Sequence, residues 1–228
     1  MFKKFIHTKK RARIINIEKL STNLIKIDFK TDKIEFNPGE YVTLYIAKFI
    51  PRNYSIYNVS PDKTVFSIIV NTNGEGVGRR TIRQFIVHEQ VHYIGPLGDF
   101  KFNKKDTSEN IWFIATGSGI SPFVQMINEN KNKYQMKLFF SARNIEEIPN
   151  IKIDNIEKFY TLTSQKSGWS GYYGKINNIL LTELNKSPDI RKISFYICGN
   201  PKMVIDIKNL LVTNNINLKN IYFEKFGF

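Results

Sequence analysis

The chain changes rhythm near its middle, and that change limits its fold more than any single residue does. From about Arg11 to Phe102 the sequence runs in short β-branched and aromatic stretches. These are Ile14-Ile15-Asn16-Ile17, Leu24 to Phe29, Tyr41 to Ile46, Val65 to Val70 and Gln90 to Ile94. Asn37-Pro38-Gly39, Ser60-Pro61-Asp62 and Gly95-Pro96-Leu97-Gly98 separate them. Short strands punctuated by turn formers predict an antiparallel barrel or sandwich. Only the stretch near Arg79 to Val87 reads as helical in this half. Lys101 to Asn110 is polar and reads as a linker. Beyond it, the apolar runs Ile111 to Ala115, Lys137 to Phe140, Lys158 to Leu162, Ile193 to Ile197 and Ile221 to Phe223 alternate with helical patterns, clearest near Lys175 to Leu184 and Lys202 to Leu211. Strands alternating with helices predict a parallel sheet with crossover helices. The expected organisation is an antiparallel β domain over residues 1–103 and an α/β domain over 104–228.

Composition narrows the function classes. Hydrophobic residues make up 42% of the 228, enough for a packed core. No apolar run has the length of a membrane span. The basic start, Met1 to Lys10, lacks the apolar stretch and cleavage site of a secretory signal, so a cytoplasmic location is expected. Cys198 is the only cysteine, which excludes an internal disulfide and a cysteine-ligated iron–sulfur cluster held by this chain. His7, His88 and His92 show no metal-site spacing, and no metal is expected. The net charge of +14 has two readings. One is an acidic partner: a nucleic acid, a membrane surface or a redox protein. The other is a lysine-rich composition with scattered charge. No basic helix or aromatic-rich motif points to nucleic acid.

Two motifs carry chemistry. Arg52-Asn53-Tyr54-Ser55 places a permanent cation, an aromatic face and a small hydroxyl in one extended segment. Side chains alternate along a strand, so Arg52 and Tyr54 share a face and Ser55 takes the other. An Arg fork suits a flavin phosphate, an aromatic suits its ring, and a short hydroxyl suits its reactive nitrogen. An ordinary strand with a surface Arg is the competing reading. Thr116-Gly117-Ser118-Gly119-Ile120-Ser121-Pro122 stands where an apolar strand ends and a helix begins. Ser121 is expected to cap that helix, with Pro122 in its first position. Glycine turns at helix starts attract a pyrophosphate, although a plain strand–helix turn would read the same way. At the next strand end, Ser141 and Arg143 favour the 2′-phosphate of NADP over the ribose of NAD; Glu146 and Glu147 nearby weigh the other way. Lys166 could join that phosphate site, and solvated loop charge is the alternative for both cations. Cys198-Gly199-Asn200-Pro201 marks another turn at the carboxyl edge of the sheet. Its thiol either meets a nicotinamide or is simply buried.

In this order, the motifs resemble those of the ferredoxin–NADP⁺ reductase family. Phe36 to Val42 is similar to its F-x-P-G-Q-Y segment, with Glu40 in place of Gln. Arg52 to Ser55 is similar to R-x-Y-S, Gly95 to Phe100 to G-P-x-G-x-F, and Thr116 to Pro122 to its nicotinamide pyrophosphate turn. Cys198 to Val204 resembles C-G-x-P-x-M, in the C-G-N-P form of the bacterial ferredoxin/flavodoxin reductases, and Glu224-Lys225-Phe226 resembles the acidic–aromatic C-terminus. The resemblance implies a Greek-key flavin barrel followed by a nicotinamide domain. It implies FAD rather than FMN, NADPH as hydride donor with NADH as the alternative, and an acidic ferredoxin or flavodoxin as electron partner.

The resemblance also implies site residues. Arg52, Tyr54, Ser55 and Val70 would serve the flavin. Gly76, Val77, Gly78 and Arg79 would cradle its pyrophosphate, although no serine stands where the family often has one. Thr116, Gly117 and Gly199 would hold the nicotinamide nucleotide, with Ser141, Arg143 and Lys166 at its 2′-phosphate. Ser55, Cys198, Glu224 and Phe226 would surround hydride transfer, with Phe228 competing for the role of Phe226. A flavin reductase releasing its product and a non-catalytic flavin-binding subunit of a larger complex remain open as alternatives.

Overall fold

Alternating burial along the first six strands closes them into a barrel. The computed structural model describes residues 8–47, 49–105, 107–164 and 168–226; Lys166 and Phe228 therefore lie outside the described residues. The strands are β1 (Lys10–Lys19), β2 (Leu24–Thr31), β3 (Tyr41–Ala47), β4 (Ile50–Val59), β5 (Val65–Asn71) and β6 (Gln90–Leu97). They are antiparallel and close in the order β1-β2-β5-β4-β3-β6. This is the barrel alternative of the sequence reading rather than the sandwich. On β3, Val42, Leu44 and Ile46 point inward while Tyr41, Thr43 and Tyr45 do not. Every second residue thus feeds one core, where Phe29 and Phe66 stack at 5.0 Å and the Tyr93 and Thr31 hydroxyls meet at 2.9 Å. Irregular register at Ile14/Asn16 and Ile56/Asn58 supplies the bending that closure demands.

A short helix, α1 (Val77–Arg83), follows β5 and buries Ile82, with Phe85 just beyond it, in the barrel core. The sequence pattern placed this helix at Arg79 to Val87. It starts and ends earlier because the chain must turn back: the His88 N–H bonds to the Ile14 carbonyl at 2.8 Å, leading into β6.

The chain divides into two compact units between Lys101 and Phe102. The second holds six parallel strands: β7 (Asn110–Thr116), β8 (Gln135–Ala142), β9 (Glu157–Leu162), β10 (Tyr172–Tyr173), β11 (Ile193–Gly199) and β12 (Ile221–Lys225). Their order is β10-β9-β8-β7-β11-β12. Helices α2 (Ser121–Asn130), α3 (Ile176–Lys186) and α4 (Pro201–Thr213) connect them. All seven residues of β11 are buried, as expected for a strand covered on both faces. One face carries Trp112, Ile114, Phe195 and Ile197 against α3 and α4. On the other, Tyr196 stacks on Phe102 at 5.4 Å and on Tyr222 at 4.6 Å, and Phe113 meets Phe123 of α2 at 5.1 Å. Among the described residues, no helix is long and apolar enough to cross a membrane.

Glu183 of α3 is buried beneath the sheet and accepts hydrogen bonds from Lys137 at 2.6 Å and Lys186 at 2.7 Å. Burial pushes its carboxyl up, but the hydrogen bonds and charges of the two lysines outweigh this and hold it below the ordinary value. A depressed carboxyl contributes stability that is present above its unfolded pKa and lost as pH falls through the folded one. The expected result is a drop in unfolding free energy below about pH 4.3. Glu183→Ala should remove much of that acid dependence and lower stability at neutral pH by about 2 kcal/mol, because Lys137 loses its buried partner and keeps only Glu157 at 3.1 Å. Urea unfolding of both proteins across the acid range measures this.

Candidate functional site

In the first unit, three of the sequence-nominated side chains converge. Arg52 and Tyr54 lie on β4, paired with Leu44 and Val42 of β3. Arg52 is exposed and donates from Nη1 to its neighbour Pro51 carbonyl at 2.8 Å. Burial pushes the Tyr54 hydroxyl up to about 12, against the opposing influence of the Arg52 and Arg79 guanidiniums. Tyr54 is therefore a neutral phenol within the field of two cations. Ser55 is buried on the strand's other side.

The glycine turn lets α1, which carries Arg79, start against Arg52. Gly76 caps α1 in extended conformation, and the helix begins at Val77, whose side chain is exposed. A Cβ on Gly78 would stand 3.2 Å from Arg52 Nε, so glycine lets that guanidinium lie against the helix start. Arg83 fastens the turn from behind, donating to the Thr72 and Gly74 carbonyls at 2.8 and 3.0 Å. Helix-start N–H groups lack acceptors within their own helix. Together with Arg52 and Arg79 they form a cationic cradle beside an aromatic face, a donor set that fits a flavin pyrophosphate and ring. Val70 sits apart from this surface, inside the barrel core.

Glu40, the departure from the family pattern, is held internally. Its carboxylate accepts from the Asn37 backbone N–H at 2.7 Å and pairs with Lys101 at 2.8 Å. The charge that Glu introduces is thus matched within the unit.

In the second unit the strand order reverses between β7 and β11, the place where open α/β sheets bind ligands. Thr116, Gly117, Gly119, Cys198 and Gly199 all stand there. The chain leaves β7 through a 3-10 turn, Gly117–Ile120, before α2 begins. Ser121 does not cap α2: Ile120 holds that position without a side-chain bond, and Ser121 is the buried first residue. The intervening turn shifts the helix start past the serine. A Cβ on Gly119 would lie 2.3 Å from the Cys198 carbonyl oxygen and 2.7 Å from Gly199 Cα, so the two turns touch backbone to backbone. Thr116 Oγ1 accepts from the Asn200 N–H at 3.0 Å and locks the contact. Asn200, which sequence reasoning passed over, caps α4 by accepting from the Lys202 N–H at 2.9 Å. An Asn before Pro at a helix start was the available signal.

Cys198 and Glu224 are register partners on β11 and β12. Cys198 is fully buried, and burial pushes its thiol well above the usual range, with the Glu224 charge adding to this and the Gly199 N–H opposing it. It is a neutral thiol, suited to packing rather than nucleophilic attack. Phe226 is brought to the same edge by its backbone N–H, which donates to the Gly199 carbonyl at 2.8 Å. Ser141 is buried at the end of β8 and pairs with Thr116. Arg143 follows as an exposed cation, its backbone N–H donating to Glu147 Oε2 at 3.1 Å.

Comparison with known proteins agrees with both halves. Residues 11–102 match the oxidoreductase FAD-binding domain family, and residues 113–209 the oxidoreductase NAD-binding domain family. The chain is 29% identical over 230 residues to a flavodoxin/ferredoxin–NADP reductase of Buchnera aphidicola, covering 91% of each. It is 27% identical to a component of the Na⁺-translocating NADH-quinone reductase of Methylococcus capsulatus, covering 77% of this chain but 49% of that protein. The fold matches that of a ferredoxin NADP⁺ reductase from Neisseria gonorrhoeae solved with bound FAD and NADP, at TM-score 0.82 and 19% identity, covering 95% and 98% of the two chains. A closed antiparallel barrel carrying the FAD-binding match, joined to a parallel-sheet unit carrying the NAD-binding match, defines a flavin- and nicotinamide-dependent oxidoreductase. The chain thus carries the FAD-binding and NAD-binding domains of that oxidoreductase class in order, and it is similar in sequence and in fold to ferredoxin–NADP⁺ reductases.

Proposed function

We propose that the protein binds FAD on its barrel, oxidises NADPH at its α/β domain and delivers single electrons to an acidic carrier protein such as a ferredoxin or flavodoxin. The observation that carries this reading is the Arg52–Tyr54–Arg79 cluster beside the glycine turn of α1. When bound, the flavin supplies hydride acceptance from a reduced nicotinamide and one-electron release. Arg52, Arg79 and the backbone around Gly76-Val77-Gly78 hold its pyrophosphate, and Tyr54 presents its face to the ring. Ser55 offers a short hydroxyl for hydrogen bonding. Thr116, Gly117 and Gly199 bring backbone close to the nicotinamide nucleotide, while the neutral thiol of Cys198 packs beside Glu224 and Phe226. The net charge of +14 suits docking of an acidic carrier, and the Buchnera relative bears the name of such a reductase.

The preference for NADPH rests on Arg143. Arg143 is the exposed cation at the end of β8, and the competing charge there is Glu147, whose carboxylate accepts from the Arg143 backbone N–H at 3.1 Å. Purified protein should be yellow, release FAD on denaturation and reduce an artificial acceptor faster with NADPH than with NADH. Arg143→Ala should lower kcat/KM for NADPH by about tenfold to a hundredfold, the worth of one charge-assisted phosphate contact, and leave that for NADH unchanged. Colourless protein that takes up no added flavin would defeat the whole reading. Unchanged discrimination in the variant would defeat the Arg143 assignment alone.

A further inference from the structure

The barrel carries a second cationic surface on the side away from Arg52. In the β1 register Arg11 faces His92 of β6 and Arg13 faces Lys30 of β2. Tyr45 faces His92 from β3, and Lys9 Nζ lies 3.7 Å above the Tyr45 ring. Arg11, Arg13, Lys30 and His92 are all exposed. Like charges directly opposite one another on adjacent strands destabilise a sheet. Neither the Arg11 nor the Arg13 side chain joins an ion pair or donates a hydrogen bond among the described residues. Arg13 and Lys30 are such a pair, and Lys30 Nζ donates to Thr64 Oγ1 at 2.7 Å, so counter-charge from outside would relieve the opposition.

An apolar loop runs beside this row. The His88 N–H bonds to the Ile14 carbonyl at 2.8 Å, and the Ile14 N–H to the Glu89 carbonyl at 2.9 Å, which hold residues 86–88 alongside β1. Phe85 is buried in the core, so the loop is anchored at its base. Beyond that anchor Ile86 is 68% exposed and Val87 40%, with Ile15 of β1 at 38%. Exposed aliphatic side chains next to unpaired cations are what a surface resting on anionic headgroups requires: the aliphatic groups enter the acyl boundary and the cations meet phosphate. Protein interfaces concentrate aromatic residues and Met at their centres, and single-stranded nucleic acids need aromatic faces to stack on; the Ile15, Ile86 and Val87 cluster offers neither, and Lys9 Nζ already lies over the Tyr45 ring beside the row.

We propose that this face, centred on β1 and the Ile86–Val87 loop, docks the protein on an anionic membrane surface. In the closed order β1-β2-β5-β4-β3-β6, β1 stands three strands from β4 in either direction. A membrane at β1 thus leaves the Arg52–Tyr54 strand on the open side of the barrel. The inference does not depend on which cofactor or carrier the protein uses.

Co-sedimentation of the full chain tests it, with vesicles of mixed phosphatidylglycerol and phosphatidylcholine and with vesicles of phosphatidylcholine alone. Binding is expected to the mixed vesicles only. Arg11→Gln with Arg13→Gln should weaken it about tenfold or more, and so should Ile86→Ser with Val87→Ser. Lys104→Gln with Lys152→Gln, which removes the same charge elsewhere, should change it less than about twofold. All three pairs replace exposed side chains, and cooperative thermal melts no lower than that of the parent protein establish that they fold. Failure to bind the mixed vesicles overturns the proposal. So does an equal loss in the Lys104/Lys152 pair, which would mean diffuse attraction, or no loss in the Ile86/Val87 pair. If the Arg11/Arg13 pair instead abolishes binding to an acidic protein while vesicles are ignored, the face docks a protein and the membrane proposal falls.

Discussion

Gly119→Ala should lower NADPH-dependent turnover by about a hundredfold while flavin stays bound. The added Cβ would lie 2.3 Å from the Cys198 carbonyl oxygen and 2.5 Å from its carbon, both backbone atoms of a strand buried on either face. No side-chain rotation relieves that contact, so one of the two turns must move. The Thr116 hydroxyl bond to the Asn200 N–H spans the same crossing and would be stretched or lost. A displacement of about 1 Å at a substrate-positioning turn costs on the order of a hundredfold in rate. Overpacking should also destabilise the protein by about 1–3 kcal/mol. The flavin residues proposed on the barrel lie in the other unit, so retention of yellow colour through gel filtration is expected alongside the lost turnover. Near-normal turnover in a folded, flavin-loaded variant would mean that nucleotide does not bind at the β7–β11 crossing.

Arg52→Ala should weaken flavin binding by about a hundredfold and give protein that loses its colour on dilution. Arg52 is the cation that Gly78 admits to the start of α1, and it lies close enough to Tyr54 for its charge to act on the phenol. A charge-assisted bond to phosphate contributes about 1.5–3 kcal/mol, and 1.4 kcal/mol is a tenfold change in affinity. Arg52→Lys should recover only part of the loss, because an ammonium cannot make the planar two-pronged contact of a guanidinium. Fluorescence titration of flavin-stripped protein measures all three affinities. Equal flavin affinity in Arg52→Ala and the parent protein would place the flavin phosphate elsewhere.

Local pattern carried far in this protein because its two halves obey different periods. Alternation on β3 and the turn at Asn37-Pro38-Gly39 mark antiparallel strands that expose one side each. Unbroken apolar runs such as Ile193 to Ile197 mark strands covered on both faces. The helix bounds near Lys175 and Lys202 were legible to within about two residues, since Pro201 and the apolar spacing signal them directly. Bounds failed where geometry outside the segment intervened. The 3-10 turn at Gly117–Ile120 moved α2 past Ser121, and the bond from His88 to Ile14 ended α1 early. The two-residue strand β10 is too short for any period to reveal it.

The residues proposed for the site were also partly written locally. Arg52, Tyr54 and the glycines at positions 76, 78, 117 and 119 declare themselves by type and spacing, because phosphate and aromatic recognition need those groups close together in the chain. Partnership across the chain did not show. Arg79 joins Tyr54, Cys198 meets Glu224, and Gly119 touches Cys198 only because strands and turns distant in sequence are brought together by hydrogen-bonded register and close packing. The same holds for Arg11 and Arg13, which read as scattered charge until β1 sets them opposite His92 and Lys30. Residue order was enough to announce an antiparallel β unit, an α/β unit and two candidate nucleotide motifs, since each rests on short-range period and turn chemistry. The contacts that join those motifs into surfaces are long-range, and closure of the barrel and crossing of the β7 and β11 turns create them.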